Sequence, residues 1–435
     1  MEIRMTSVKS KLQVAMVLAV TVIVYAAIVI VGLRGSLNGD FDQYLVPGKY
    51  AAPANITAHG FDNRVFYEKS SGWDGQFYYY HSDDPLLLRD TAEHIDMPAY
   101  RAQRVGIPAI TYVLSRLTGQ DWVSPKFYFT VNVGLLLIAA YMLATFLISR
   151  GYSAWYALIW TVGGSTLYTV GFGFIDGSAD ALVIIALILY ANKNLNLYIL
   201  AMSLAVLSKE SYAIIPVILA FSQFISHAHR FISTRHLFKS SQAIKSILPN
   251  CIPPMILLFW ILYLHLHLNT NHIFDKSGSG MLSLPFKDII HYIMAGINGE
   301  TLSSLGDVKK YFPSYRISIG VSIFSALLLI IFLISIYRIF LNINNLIINP
   351  VSLGVLLCAL ILSAVYMCLG ATQLWEPVGF VKALSLVIGM YLIYCAISKA
   401  KVISIVLILS IAFSIYSAVV VTDRNGLPPF VRNVS

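Results

Sequence analysis

Residues 72–80 read Gly-Trp-Asp-Gly-Gln-Phe-Tyr-Tyr-Tyr, so one acid, Asp74, stands between Trp73 and a glycine. The amide of Gln76 and the rings of Phe77, Tyr78, Tyr79 and Tyr80 follow it. A carboxylate can take a proton from a hydroxyl, and the rings beside it make a platform for a sugar or a lipid headgroup. Trp and Tyr also gather at membrane–water boundaries for structural reasons, so a belt helix capped by Asp74 is the plainer alternative. Arg101 and Arg104 lie three apart and share a face on a helix. Two guanidinium groups on one face can hold a phosphate in bidentate fashion. Long cationic side chains reaching for headgroups are the alternative.

Asp176 and Asp180 are four apart, a spacing that can present two carboxylates to a divalent cation or to an acceptor hydroxyl. A helix cap followed by a first-turn acid has the same pattern. Ser208-Lys209-Glu210-Ser211 interrupts a long apolar stretch. Ionisable groups near lipid are costly, which points to Lys209 against a lipid phosphate with Glu210 as its partner. The other reading is a local ion pair closing a tight turn. Trp375-Glu376-Pro377 and Lys382 mark a further polar break that could bind substrate. His265, His267 and His272 cluster without the spacing or carboxylate support of a zinc site. All four cysteines (Cys251, Cys358, Cys368, Cys395) fall inside apolar runs, which implies small core residues rather than disulfides or a metal framework.

The elements that must position these groups are membrane helices. Of the 435 residues, 57% are hydrophobic and 12% charged, where a soluble domain carries about 25% charged residues. Apolar runs lie near 12–33, 125–149, 153–174, 178–191, 195–208, 211–226, 250–268, 316–339, 350–369, 380–397 and 402–421. That is an all-α polytopic membrane protein with about eleven transmembrane helices. The net charge of +9 then records orientation and contact with anionic headgroups, not nucleic-acid affinity. The run from 12 to 33 is too long for a signal-peptide core and reads as a retained first span.

One candidate, 105–117, is ambiguous. As a helix it reaches only about 20 Å, against a hydrocarbon core of roughly 30 Å. Basic short loops prefer the cytoplasm. The loop at 227–247 holds Arg230, Arg235, Lys239 and Lys245 without an acid, and the 398–401 link holds Lys399 and Lys401. Both fall inside only if 105–117 lies on the outer surface. Of the 21 acidic residues, this arrangement leaves Glu2 alone on the cytoplasmic side. The expected organisation is a module over 1–226, with a first span, an outer loop at 34–104 and a surface helix at 105–117 ahead of spans two to six. A basic cytoplasmic loop at 227–249 follows. C-terminal helices at 250–421 come next, with an outer loop at 269–315 that carries an amphipathic helix near 285–297. An outer tail occupies 422–435.

A long acidic first outer loop, an acid-plus-aromatic motif within it, a surface helix after it and a multi-helix block resemble the GT-C superfamily of integral-membrane glycosyltransferases. More narrowly, Trp73-Asp74-Gly75-Gln76-Phe77-Tyr78-Tyr79, then Asp84-Pro85, then Tyr100-Arg101 with Arg104 and Pro108 look like a bacterial group with a DGQFYY…DP…YR..R pattern. Leu207-Ser208-Lys209-Glu210-Ser211 looks like that group's LxKE[ST] turn. The likeness covers roughly residues 1–225. It implies a GT-C-like module of seven spans, completed by the seventh. The implied activity is inverting transfer of a hexose or pentose from a polyprenyl-phosphate donor to an acceptor hydroxyl of a glycan, lipid or protein. Transfer would take place at the outer face of the bacterial inner membrane. Asp74 would be the base. Asp42 and Asp40 are alternatives, because many GT-C enzymes place the essential acid just after the first span. Arg101, Arg104 and Lys209 would face the donor phosphate. Trp73, Gln76, Tyr78, Tyr79, Asp176, Asp180, Glu210 and Glu376 would bind substrate. The resemblance requires no cofactor and allows a divalent cation, Mg or Mn. A polysaccharide ligase or polymerase is the alternative activity, and a lipid-linked-sugar flippase or transporter a further one.

Overall fold

The computed structural model describes residues 8–34, 40–45, 47–48, 50–61, 72–234, 240–268, 282–298, 314–370, 374 and 377–422. Among them the chain is helical. It has no strand, and its isolated backbone bridges join Pro47 to Gly72 and Leu282 to Leu369. Seven of the described helices are long and apolar enough to cross a bilayer: Val8–Arg34, Pro125–Ser149, Glu210–Ser233, Ala243–Leu268, Ser318–Ile348, Phe380–Ser398 and Ser404–Thr422. The protein is therefore a polytopic, membrane-embedded helical protein. Leu195–Ser208 and Pro350–Tyr366 are shorter apolar helices, as is Asp176–Ala191.

The run expected to be one helix over 153–174 is instead broken into Ala154–Ala157, Leu158–Thr161 and Gly164–Phe172. The break has a packing cause. A Cβ on Gly164 would lie 2.6 Å from the Val381 carbonyl oxygen, so the Pro377–Ser398 helix approaches closer here than a side chain allows. Ser385 Oγ of that helix accepts from the Ser165 N–H at 3.0 Å. It thereby satisfies one of the donors that a helix start leaves open.

The Phe380–Ser398 segment is 89% buried, whereas Val8–Arg34 and Ala243–Leu268 are each 28% buried. The first is the hub of the bundle, and the other two turn most of their apolar surface outward, as lipid-facing helices do. Two sets of turns gather at opposite ends. At one end Arg150 reaches Asn192 at 3.4 Å, the Tyr152 hydroxyl donates to Ala400 O at 2.7 Å, and Arg230 donates to Ile348 O at 3.5 Å. At the other end stand the 173–176 turn, the 209–210 turn and Lys382, under the 72–104 segment.

That segment is ordered by its own acids. Asp83 accepts from Arg89 at 3.1 Å, Arg116 at 3.4 Å, the Val123 N–H at 2.9 Å and the Asn55 side chain. Asp84 accepts from the Leu88 and Arg89 N–H groups at 3.0 and 2.9 Å. The Gly106–Leu117 helix, expected at 105–117, is present and amphipathic, and so is Lys287–Ile297.

Candidate functional site

The Asp74–Asp83 helix opens with Asp74 in its first turn. It fits there because a Cβ on Gly75 would lie 2.5 Å from Phe172 O and 3.2 Å from the Gly173 carbonyl oxygen, so only glycine lets the helix seat on the 172–173 turn. Trp73 then stacks on Phe172 and Phe174, with ring centroids 4.9 and 5.5 Å away. Those two phenylalanine rings are themselves 6.0 Å apart. Both therefore lie toward one side of the indole, which is only partly buried.

Asp74 and Arg101 meet at 3.0 Å. Arg101 is positioned by Asp96, which accepts from its Nε and, at 3.0 Å, from its Nη2. The guanidinium lies 4.8 Å from the Phe77 ring centroid. A guanidinium has five N–H donors. These bonds use Nε and Nη2 and leave both Nη1 N–H groups without a partner among the described residues. The Asp74 side chain is 39% exposed. Loss of water around it pushes its carboxyl up, but the neighbouring cations Arg101, Lys382 and Arg104 outweigh that and hold it below its ordinary value.

Arg104 is more fully committed. Glu210 takes its Nε and Nη2 at 2.9 Å each, the Tyr78 oxygen accepts from Nη1 at 2.9 Å, and the Tyr100 oxygen accepts from Nη2 at 2.6 Å. One N–H of the five remains. Burial pushes the Tyr78 hydroxyl up to about 12, so it stays protonated beside this cation.

The third part of the site joins both halves of the chain. Asp176 receives Lys209 at 3.0 Å on one oxygen and Lys382 at 3.4 Å on the other. Lys382 also sits 4.1 Å above the Phe174 ring. Thus Asp74, Arg101, Arg104, Asp176, Lys209 and Glu210 are brought into one cluster with Lys382.

Other expected residues go elsewhere. Gln76 is fully buried; its Oε1 accepts from the Gly48 N–H at 2.8 Å and its Nε2 donates to Trp73 O at 3.1 Å, so it braces the loop rather than facing a ligand. Tyr79 is also fully buried, against Phe61, Tyr80 and Tyr128. Asp180 does not share a ligand face with Asp176. It is buried, accepting from Ser165 Oγ at 2.5 Å and from the Tyr212 hydroxyl. Asp40 accepts from the Asp42 N–H at 3.0 Å within the turn before Asp42–Leu45. The charged neighbours of Asp42 are Asp40 and Lys126, not the arginines. Glu376, Trp375 and His272 lie outside the described residues. Among the described residues no group of three or more His, Cys, Asp or Glu side chains is arranged to hold a metal ion.

Asp96 was not singled out by the sequence, although it stands five residues before the arginine it orients. A second support was equally hidden. Trp260, Tyr263 and His267 stack in a ladder on the Ser240–Leu268 helix, with centroids 5.0 and 5.3 Å apart. Their polar edges reach Ala102 O at 2.9 Å, Leu86 O at 2.8 Å and Leu87 O at 2.8 Å. Trp260 thus pins the backbone between Arg101 and Arg104, and Tyr263 and His267 pin the 86–87 turn. Comparison with known proteins finds no family, no curated protein and no solved structure that matches this chain.

Proposed function

We propose that the chain is an inverting glycosyltransferase of the GT-C type, using a polyprenyl-phosphate sugar at the outer face of the inner membrane. The observation that carries this reading is the partly exposed Asp74 carboxylate, held 3.0 Å from an arginine whose Nη1 donates to no partner among the described residues. One direct displacement accounts for the chemistry. The acceptor hydroxyl oxygen forms a bond to the anomeric carbon and gives its proton to Asp74. The bond from that carbon to the phosphate oxygen breaks, and polyprenyl phosphate leaves with the electron pair. Arg101 and Lys209 meet the charge that grows on the leaving phosphate. The exposed side of Trp73 offers a platform for the sugar.

Charge balance favours a monophosphate-linked donor. Among the described residues, four cations in the cluster (Arg101, Arg104, Lys209, Lys382) are matched by four acids (Asp74, Asp96, Asp176, Glu210). A phosphodiester adds one negative charge to this set, and a diphosphate adds two. That weighs against the diphosphate-linked glycan of a ligase or polymerase. Eleven spans would bring the 173–176 and 209–210 turns and Lys382 to one end of the bundle, where they are found, and the charge rule would put that end outside. No step passes through a metal. Purified protein in lipid nanodiscs, given a panel of polyprenyl-phosphate sugars with and without chelator, tests the proposal. Transfer from a monophosphate donor supports it; transfer only from a diphosphate-linked glycan, or none from any donor, overturns it.

A further inference from the structure

Lys382 is the single charged residue in the Pro377–Ser398 helix, whose Phe380–Ser398 part is mostly apolar and almost wholly buried. A lone ammonium in such a helix is costly unless it has a task. Its placement is enforced: the close approach at Gly164 and the Ser385–Ser165 bond lock this helix against Gly164–Phe172, one residue and one turn from Lys382. Lys382 then stands over Phe174, the ring that supports Trp73, and shares the Asp176 carboxylate with Lys209. Each ammonium has three N–H donors, and the shared carboxylate engages one on each. Among the described residues both lysines keep donors for an anion, held at a fixed separation by one acid between them. Beside Arg101, Lys382 also helps to hold the Asp74 carboxyl below its ordinary value.

We infer that Lys382, from the C-terminal half of the chain, is a ligand of the substrate phosphate, and that Asp176 is the internal carboxylate that presets Lys382 and Lys209 for it. This rests on the proposed transferase reading and deepens it. The phosphate seat would be built from both halves, with Arg101 on one side and the lysine pair on the other. Arg104, nearly saturated by Glu210, Tyr78 and Tyr100, would serve mainly as a fixed charge.

Farnesyl phosphate and farnesol, titrated against the full-length protein in nanodiscs, separate the possibilities. Lys382→Met removes the charge and leaves Lys209 to neutralise Asp176, while Lys382→Arg keeps it. Lys193→Met, at the exposed far end of the Asp176–Ala191 helix, controls for overall charge. The expected result is a loss of about ten- to a hundredfold in farnesyl phosphate affinity for Lys382→Met. Lys382→Arg and Lys193→Met should stay near wild type, and farnesol binding should not change in any variant. Unchanged farnesyl phosphate affinity in Lys382→Met overturns the inference and leaves the transferase reading standing. Equal losses for farnesol and farnesyl phosphate also overturn it, since they mark a packing role. A wild type that binds both probes equally removes the phosphate seat altogether, and the transferase reading with it.

Discussion

Glu210 receives both Nε and Nη2 of Arg104 at 2.9 Å across 106 residues of sequence. The pair ties the surface segment before Gly106–Leu117 to the turn between the Leu195–Ser208 and Ile214–Thr234 helices. It is mostly covered, with side-chain exposures of 14% for Arg104 and 26% for Glu210. Removing one member of such a pair strands the other charge. Glu210→Ala is expected to cost about 2 kcal/mol of stability, and Glu210→Gln less. Thermal unfolding in detergent reads this, and a Glu210→Ala midpoint equal to wild type would show that the pair does not hold the segment.

Asp74→Asn should leave the fold intact, because Asp96 still grips Arg101. Transfer should fall by about a hundred- to ten-thousandfold, the range of a lost general base. Substantial transfer in the variant, measured with labelled donor, would move the role to Asp40 or Asp42.

The Asp74 carboxyl is held below its ordinary value by Arg101, Lys382 and Arg104, against the loss of water around it. An acid with a depressed folded pKa contributes stability that is complete above the unfolded value, about 3.9. That contribution is lost as pH falls through the lower folded value. Transfer should therefore show no acid limb between pH 7 and 5. Arg101→Gln removes the nearest cation and should shift the limb to higher pH while lowering the rate. A wild-type rate that already falls across pH 6 would contradict the assignment.

Trp260→Phe keeps a ring in the ladder and deletes the indole N–H that meets Ala102 O at 2.9 Å. One lost hydrogen bond costs about 1 kcal/mol. Because Ala102 follows Arg101, the donor KM should rise several-fold more than kcat falls. A change in stability with unchanged KM would make the ladder a packing feature alone.

Sidedness is read by single cysteines in a chain freed of its four native ones. Asp121→Cys and Lys193→Cys sit on exposed turns that the charge rule places on opposite sides. A membrane-impermeant maleimide on intact cells should label the first and not the second. Labelling in the reverse order would put the cluster in the cytoplasm and end the proposed enzymology.

The apolar runs were legible in the sequence because span hydropathy is a local sum over about 20 residues. The same holds for the alternation of basic and acidic breaks between them, and for the amphipathic 106–117 helix, which owes its character to its own side chains. It runs from Gly106 to Leu117, one residue short of the 105–117 expected. What the tertiary structure alone decided is which acid meets which cation. Asp96 lies among ten acids of the 34–104 loop, and nothing in its spacing separates it from Asp83 or Asp84, which hold the loop together. Asp176 and Asp180 share a helical face, yet four residues are about 6 Å of rise. Over that distance the surroundings change from two lysines at the rim to two hydroxyls in the core. Lys382 reaches the site only because Gly164 lets its helix close on the N-terminal half. Contacts between distant segments depend on how whole helices pack, and that is a property of the assembled bundle, not of any window of the chain.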